Sequence, residues 1–244
     1  MRLASGRIAF VAFRWGEYHL KTRFDMRLGE EIHLAILGSE AVILDLKRDR
    51  YTGLNPRLTA AIIRALTSDD LIEDDPAIVA LSKRGFIVDH VSSQDERPTL
   101  PRHASNSIWP SIRHGLGWNP PAQATETLNA LGLVQASLHF RHLFKTINWL
   151  RREKSAAHGK PNGRSSAEIL DRFHAVRPWF PYRPICRLDA TALCLLLWRH
   201  GYPADLVFGV RVRPFAAHCW VQHQDSVLFD TADMTATYTP IMAV

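Results

Sequence analysis

Cys186-Arg187-Leu188-Asp189-Ala190-Thr191-Ala192-Leu193, followed later by Ala217-His218-Cys219-Trp220-Val221 and then by Val227-Leu228-Phe229-Asp230, decides how this chain is read. Arg183 precedes Pro184 and is thereby biased toward extended backbone, so the chain releases into a helix only near Cys186. Leu188, Ala192, Leu195 and Leu196 give that helix an apolar face, and Gly201 stops it with Pro203 just beyond. Cys186 thus falls in the first turn, where free backbone N–H groups and the positive end of the helix dipole favour a thiolate. The same helix end can donate to an oxyanion. Three strands are expected next, Asp205 to Arg213, Ala217 to His223 and Val227 to Asp230. Pairing His218 with Asp230 centres their hairpin on Gln224, in a three-residue loop His223-Gln224-Asp225. The two side chains would then share a face with Cβ atoms ~5 Å apart.

These residue types suit nucleophilic attack on an amide. A thiolate needs a base to share its proton and later protonate the leaving amine, and that base needs a third group to hold its tautomer and stabilise its cation. Cys186, His218 and Asp230 fill those roles in order. Taken singly they have plainer readings: a buried helix cysteine, a strand-end histidine and a turn-forming aspartate. Cys194 lies ~12 Å along the helix from Cys186, too far for a disulfide, and reads as core. Cys219 alternates to the sheet face opposite His218 and reads as core too.

Composition sets the bounds. The chain has 244 residues with 46 % hydrophobic and 22 % charged side chains, the balance of a globular protein. Its longest strongly apolar stretch, Ala190 to Trp198, falls far short of the ~20 residues that span a bilayer, and no signal-peptide core is recognisable. Three cysteines exclude a disulfide scaffold and point to a reducing cytoplasm. The net charge of +6 is uneven: residues 1–96 carry −2, residues 97–164 carry +8 and residues 165–244 are neutral. No nucleic-acid reading element accompanies the basic middle segment, so a solvated helix face or an acidic partner protein is the better reading.

The first half of the chain forms a separate block. Residues 1–30 read as an extension, with Met26 an equally good start. Ile32 to Ile36 and Ala41 to Leu46 read as strands joined through Gly38-Ser39, and a short third strand lies around Tyr51-Thr52. Asn55-Pro56 caps and opens a helix, and a second runs from Pro76 to Arg84, ending at Gly85. The turn-forming stretch 92–123 reads as a linker, and a long helical pattern from Leu128 to Leu150 opens the second block. Four boundaries follow: an extension at 1–30, a small domain at 31–91, a linker at 92–123 and a second domain at 124–244. The loop Gly159 to Ser165 lacks the spacing and preceding strand of a phosphate-binding loop. His139 and His142 would share a helix face, but no third ligand is placed to join them, so no metal is assigned.

Residues 186–193, 201–211 and 214–221 resemble the leader peptidases of lasso-peptide biosynthesis, the B proteins, which are transglutaminase-like cysteine proteases. The block 31–91, through Asp45, Arg50-Tyr51-Thr52-Gly53-Leu54 and its two helices, resembles the PqqD-like recognition element of ribosomal peptide pathways. The resemblance implies an α+β chain in two parts. A small winged-helix-type recognition domain would precede a transglutaminase-like, papain-like domain whose cysteine-bearing helix packs on the antiparallel sheet carrying His and Asp. It further implies cleavage of a lasso precursor between leader and core, usually after a threonine one residue short of the leader end. An asparagine-synthetase-like macrolactam synthetase would take the product. No bound cofactor is evident, and ATP dependence enters by family analogy alone. An extended leader would add as a strand beside Tyr51 and Thr52, with Ile78, Leu81 and Ser82 supplying pockets; the alternative for Ile78 and Leu81 is core. Gln222 stands where many of these relatives have Glu. Two other readings stay open: acyl transfer to an amine by the same thiol, and a non-enzymatic leader-binding or winged-helix DNA-binding protein. The acidic run between the two helices (Asp69, Asp70, Glu73, Asp74, Asp75) opposes the DNA-binding version.

Overall fold

The computed structural model describes residues 25–67, 75–90, 100–109, 120–157 and 164–244. The elements in chain order are β1 (Asp25–Leu28), β2 (Ile32–Leu37), β3 (Glu40–Asp45), β4 (Arg50–Leu54), α1 (Pro56–Thr67), α2 (Pro76–Lys83), β5 (Ile87–His90), β6 (Asn106–Ile108), α3 (Pro120–Phe140), α4 (His142–Ala157), α5 (Ser166–Val176), α6 (Cys186–Arg199), β7 (Asp205–Val212), β8 (Phe215–His223), β9 (Ser226–Leu228), α7 (Ala232–Ala236) and β10 (Thr239–Ala243). A single 3₁₀ turn, Arg177–Trp179, follows α5. Among the described residues no helix is long and apolar enough to cross a membrane.

Local chemistry explains the first block. Gly38 takes φ +66° in the β2–β3 hairpin turn, a conformation glycine adopts without steric cost. The Asn55 side chain accepts from the Leu58 N–H at 3.0 Å and caps α1, while Asp75 caps α2 by accepting from the Ala77 N–H at 2.8 Å. Gly85, at φ +72°, ends the second helix. Asp25–Leu28 falls in the stretch read above as an extension; it is instead paired antiparallel with β5, and residues 1–24 of that stretch lie outside the described residues.

The sheet β2-β3-β4 has its central strand buried on both faces, with Ala41, Val42, Ile43 and Leu44 all at most 1 % exposed, as is Leu46 just past the strand's end. Ala41 and Ile43 pack with α1 and α2, whereas Val42, Leu44 and Leu46 join the core of the C-terminal block. The two blocks therefore share a hydrophobic core. The ion pairs Arg151–Glu31 at 2.7 Å and Arg213–Glu40 at 3.0 Å also span the boundary.

The C-terminal block packs α6 on one face of a five-stranded sheet in the order β10-β7-β8-β9-β6, and α3, α4 and α5 pack against α6. The expected continuous helix through Leu150 is two helices. The chain breaks at Arg141, His142 takes φ +54°, and α4 folds back so that the Ser137 and Thr146 hydroxyls meet at 3.0 Å. The break also removes the shared helix face proposed for His139 and His142. The stretch read as a linker contributes a strand of its own, since β6 pairs parallel with β9 at the sheet edge, and α3 begins at Pro120.

A shared core predicts a shared transition. Leu44→Ala, at a site with no solvent exposure, should cost about 2–5 kcal/mol. Every tryptophan after Trp15 lies at position 109 or beyond, so tryptophan fluorescence reports chiefly on the C-terminal block. In thermal unfolding Leu44→Ala should lower the fluorescence midpoint together with the circular-dichroism midpoint; a fluorescence midpoint left at the wild-type temperature would show that the blocks unfold independently.

Candidate active site

Cys186 is the first residue of α6, and the extended backbone of Ile185, at φ −134° and ψ 124°, delivers the chain to it. The approach is anchored from below. Arg177, only 6 % exposed, pairs with Asp189 in the first turn of α6 and donates from both Nη atoms to the Tyr182 carbonyl at 3.1 Å. Gly201 takes φ +83° and closes the far end. Cys194 is fully buried, as is Cys219 apart from 4 % of its surface.

His218 Nε2 lies 2.6 Å from Asp230 Oδ2. The same imidazole is also the strongest influence on the Cys186 side chain. The hydrogen bond to His218 is the main influence holding the Cys186 thiol below its ordinary range; burial opposes it, and the His218 charge and the backbone N–H groups of Cys219 and Arg187 assist. Burial works against charging His218, yet the hydrogen bonds to Asp230 and Cys186 outweigh it and push the imidazole up to about 9. Such a pair titrates as a unit, with a thiolate–imidazolium form between the two limits.

The route by which Asp230 reaches His218 differs from the expected one. The hairpin pairs Gln222 with Val227 and His223 with Ser226, so its loop is Gln224-Asp225 and the register is one residue out from the expected pairing. Continued onward, that register would set Asp230 opposite Cys219, on the face away from His218. Strand β9 instead ends at Leu228, and Phe229 adopts φ +62°. This left-handed residue breaks the alternation and turns Asp230 to the imidazole. A non-glycine residue there costs of order 1–3 kcal/mol, which the surroundings must offset. The Phe229 ring is held edge-on to Phe173 at 5.3 Å and lies 5.6 Å from Trp109.

Three further residues shape the floor of the site. Trp220 stacks under His218 with ring centroids 6.0 Å apart, and Tyr238 lies 5.2 Å from the same imidazole. Gly209, directly across from His218 in the β7–β8 ladder, leaves the space these rings occupy: a Cβ there would come within 2.6 Å of the Trp220 ring and 3.0 Å of Tyr238. A glycine inside a run of strand-forming residues is the signal that identifies such a position in sequence. Arg177 and Asp189 carry no comparable signal, because their pairing across the turn before α6 follows no local spacing rule.

Tyr51 and Thr52 are half-buried on β4, which has β3 on one side and no strand on the other among the described residues. Along that edge runs a groove of about 450 Å³ between Tyr51, Gly53 and Leu54 and the facing Val212, Arg213 and Phe215. Burial pushes the Tyr51 phenol up to about 12, with contributions from Cys219, Asp49 and Cys186 against the opposing pull of Arg187, so it remains a neutral hydroxyl close to the start of α6. Asp49 lies 3.7 Å from Arg187. Ile78 and Leu81 are not surface pockets. Both are 1 % exposed and fill the small core beneath α1 and α2, because they lie on the apolar face of a short helix; Ser82 beside them is half-buried. Among the described residues no group of three or more His, Cys, Asp or Glu side chains comes together to hold a metal ion.

The ion-pair window gives a direct test. The rate of Cys186 alkylation by iodoacetamide should rise along a limb below the ordinary thiol range, while turnover should fall above pH about 9 as the imidazolium loses its proton. His218→Ala should return the alkylation limb to that of an ordinary thiol. Gly209→Ala should disturb the Trp220 ring and slow alkylation at neutral pH.

Comparison with known proteins agrees with this architecture. No curated protein and no solved structure matches the chain. Residues 130–243 match the family model of the transglutaminase-like superfamily, whose members are typically cysteine-dependent enzymes, and the region that carries Cys186, His218 and Asp230 is thus a transglutaminase-like domain.

Proposed function

We propose that this protein is a cysteine peptidase that binds the leader of a lasso-peptide precursor and hydrolyses the bond between leader and core. The observation that carries the reading is the Cys186 thiol at a helix start, held below its ordinary range chiefly by an imidazole that itself lies 2.6 Å from a carboxylate. In this reading the Cys186 thiolate attacks the scissile carbonyl and His218 protonates the leaving amine of the core. Water, deprotonated by the same imidazole, then releases the leader as its carboxylate. Asp230 holds the imidazole tautomer and stabilises its cation. A backbone N–H at the start of α6 is a candidate donor to the oxyanion.

The substrate class is supported by what surrounds the thiol. Exposed apolar side chains flank each member of the trio: Ile185 immediately before Cys186, Phe215 shortly before His218 and Met234 shortly after Asp230. An extended peptide suits such a rim, and the open edge of β4 can take it as an added strand, with Tyr51 and Thr52 alongside. Tyr51, which lines the groove, is near enough to Cys186 to feel its charge, so leader binding there would raise the local concentration of the scissile bond. The freed core amine would pass to an asparagine-synthetase-like macrolactam synthetase in the cytoplasm, with ATP dependence implied by the resemblance alone.

Mass spectrometry of the precursor incubated with the protein tests the reading. Hydrolysis gives separate leader and core, whereas acyl transfer to an added amine gives an adduct and would move the assignment to a transglutaminase-type reaction. Cys186→Ala should abolish cleavage while retaining leader binding, and continued processing by that variant would overturn the choice of nucleophile. His218→Ala should lose about 10³-fold or more in rate, and Asp230→Ala should lose less.

A further inference from the structure

Residues 100–109 lie N-terminal to the part of the chain that matches the superfamily model, yet they grip the loop that carries Asp230 from both sides. Before Asp230, the Phe229 N–H donates to the Ile108 carbonyl at 3.1 Å, and the Phe229 ring rests 5.6 Å from Trp109. After it, the Ala232 N–H donates to the Ser107 hydroxyl at 2.7 Å. Upstream, β6 pairs with all three residues of β9, and Ser105 binds the Asp225 carboxylate in the hairpin loop through its hydroxyl and its N–H. These bonds to Ser105 hold the Asp225 carboxyl below the usual carboxylate range. Ala104 covers Val207, Trp220, Val227 and Tyr238 on the face of the sheet away from the helices.

Gln222 ties the segment to the imidazole's own strand. It is 2 % exposed, and its amide donates to the Arg102 carbonyl at 2.7 Å and the Gln224 carbonyl at 2.9 Å while accepting from Trp220 Nε1 at 3.2 Å. A glutamate in this place would turn acceptors toward two carbonyls, so the amide is the group that the strap requires. The bonds on Phe229 and Ala232 fix the backbone on either side of Asp230, and the first of them stabilises the left-handed residue that turns the carboxylate to His218.

We propose that residues 100–109 are a positioning strap for the active site, with Ser107 and Trp109 acting through the Asp230 loop to keep the carboxylate on His218. The inference rests on the assignment of Asp230 as the group that orients His218. It adds that the transglutaminase-like domain is incomplete without a segment supplied from the connection between the two blocks.

The test uses the full chain and needs no substrate: the pH dependence of Cys186 alkylation by iodoacetamide, with Cys186→Ser as the blank and thermal midpoints measured alongside. Ser107→Ala and Trp109→Ala should each move the thiol limb toward the ordinary range by half a unit to one unit, slowing alkylation on that limb by about three- to ten-fold. Asp230→Ala should move it further in the same direction. Ser107→Thr keeps the acceptor hydroxyl and should restore the wild-type profile. An unmoved profile in both strap variants, with Asp230→Ala displaced, overturns the strap and leaves the assignment of Asp230 standing. A displaced profile in Ser107→Ala that Ser107→Thr fails to restore also overturns it, because the hydroxyl is then not what acts. An unmoved profile in Asp230→Ala removes the assignment itself.

Discussion

The imidazole of His218 can serve a sulfur and a carboxylate at once only if the two partners meet its two nitrogens, and neither partner belongs to its own strand. Cys186 arrives at the tip of a helix packed on the sheet, and Asp230 arrives from a loop just beyond the neighbouring strand. Each delivery depends on a particular backbone conformation. Ile185 is extended until the residue before the thiol, and Phe229 is left-handed one residue before the carboxylate. Much of the surrounding packing serves these two points: the buried Arg177–Asp189 pair secures the first, and the rings of Phe173 and Trp109 secure the second.

The same economy governs how the two blocks meet. The N-terminal sheet has no polar outer face turned to solvent behind it, because the side chains of Val42, Leu44 and Leu46 complete the core of the C-terminal block. One result is closeness. The open edge of β4, the Tyr51 phenol and the Asp49–Arg187 contact all lie beside the helix start that presents the thiol. Recognition of a peptide and attack upon it, in the reading proposed above, would therefore occur on adjoining surfaces with little flexible chain to span.

Much of this was legible from residue order. The proline before Cys186, the glycine after the helix and the asparagine cap act over a few residues, and their local chemistry decides the outcome whatever lies around them. The departures have the opposite character. The hairpin register differs by one residue because a two-residue loop replaces a three-residue one, and the contact between His218 and Asp230 survives only through the positive φ of Phe229. No propensity announces a left-handed phenylalanine; its ring contacts with distant Trp109 and Phe173 hold it there. The break at Arg141 was hidden likewise, since α3 and α4 each continue an apolar repeat and only the Ser137–Thr146 contact reveals the fold-back. Asn106-Ser107-Ile108 is too short and too exposed to read as a strand, and its pairing with β9 makes it one. Ile78 and Leu81 fit a pocket and a core equally well until the neighbouring helix is known to cover them.

Strand β3 also limits how this protein can change over descent. Its alternate side chains supply two different cores, so inserting or deleting one residue between Ala41 and Leu46 would exchange the two sets. Asp45, 4 % exposed and bound to the Arg48 side chain at 2.6 Å, would be driven into the interior of the neighbouring block. Both halves would be damaged by that single event. Tolerable changes of length are therefore confined to places such as the Gly38-Ser39 turn, and the strand itself should keep a constant residue count across any lineage that retains this arrangement.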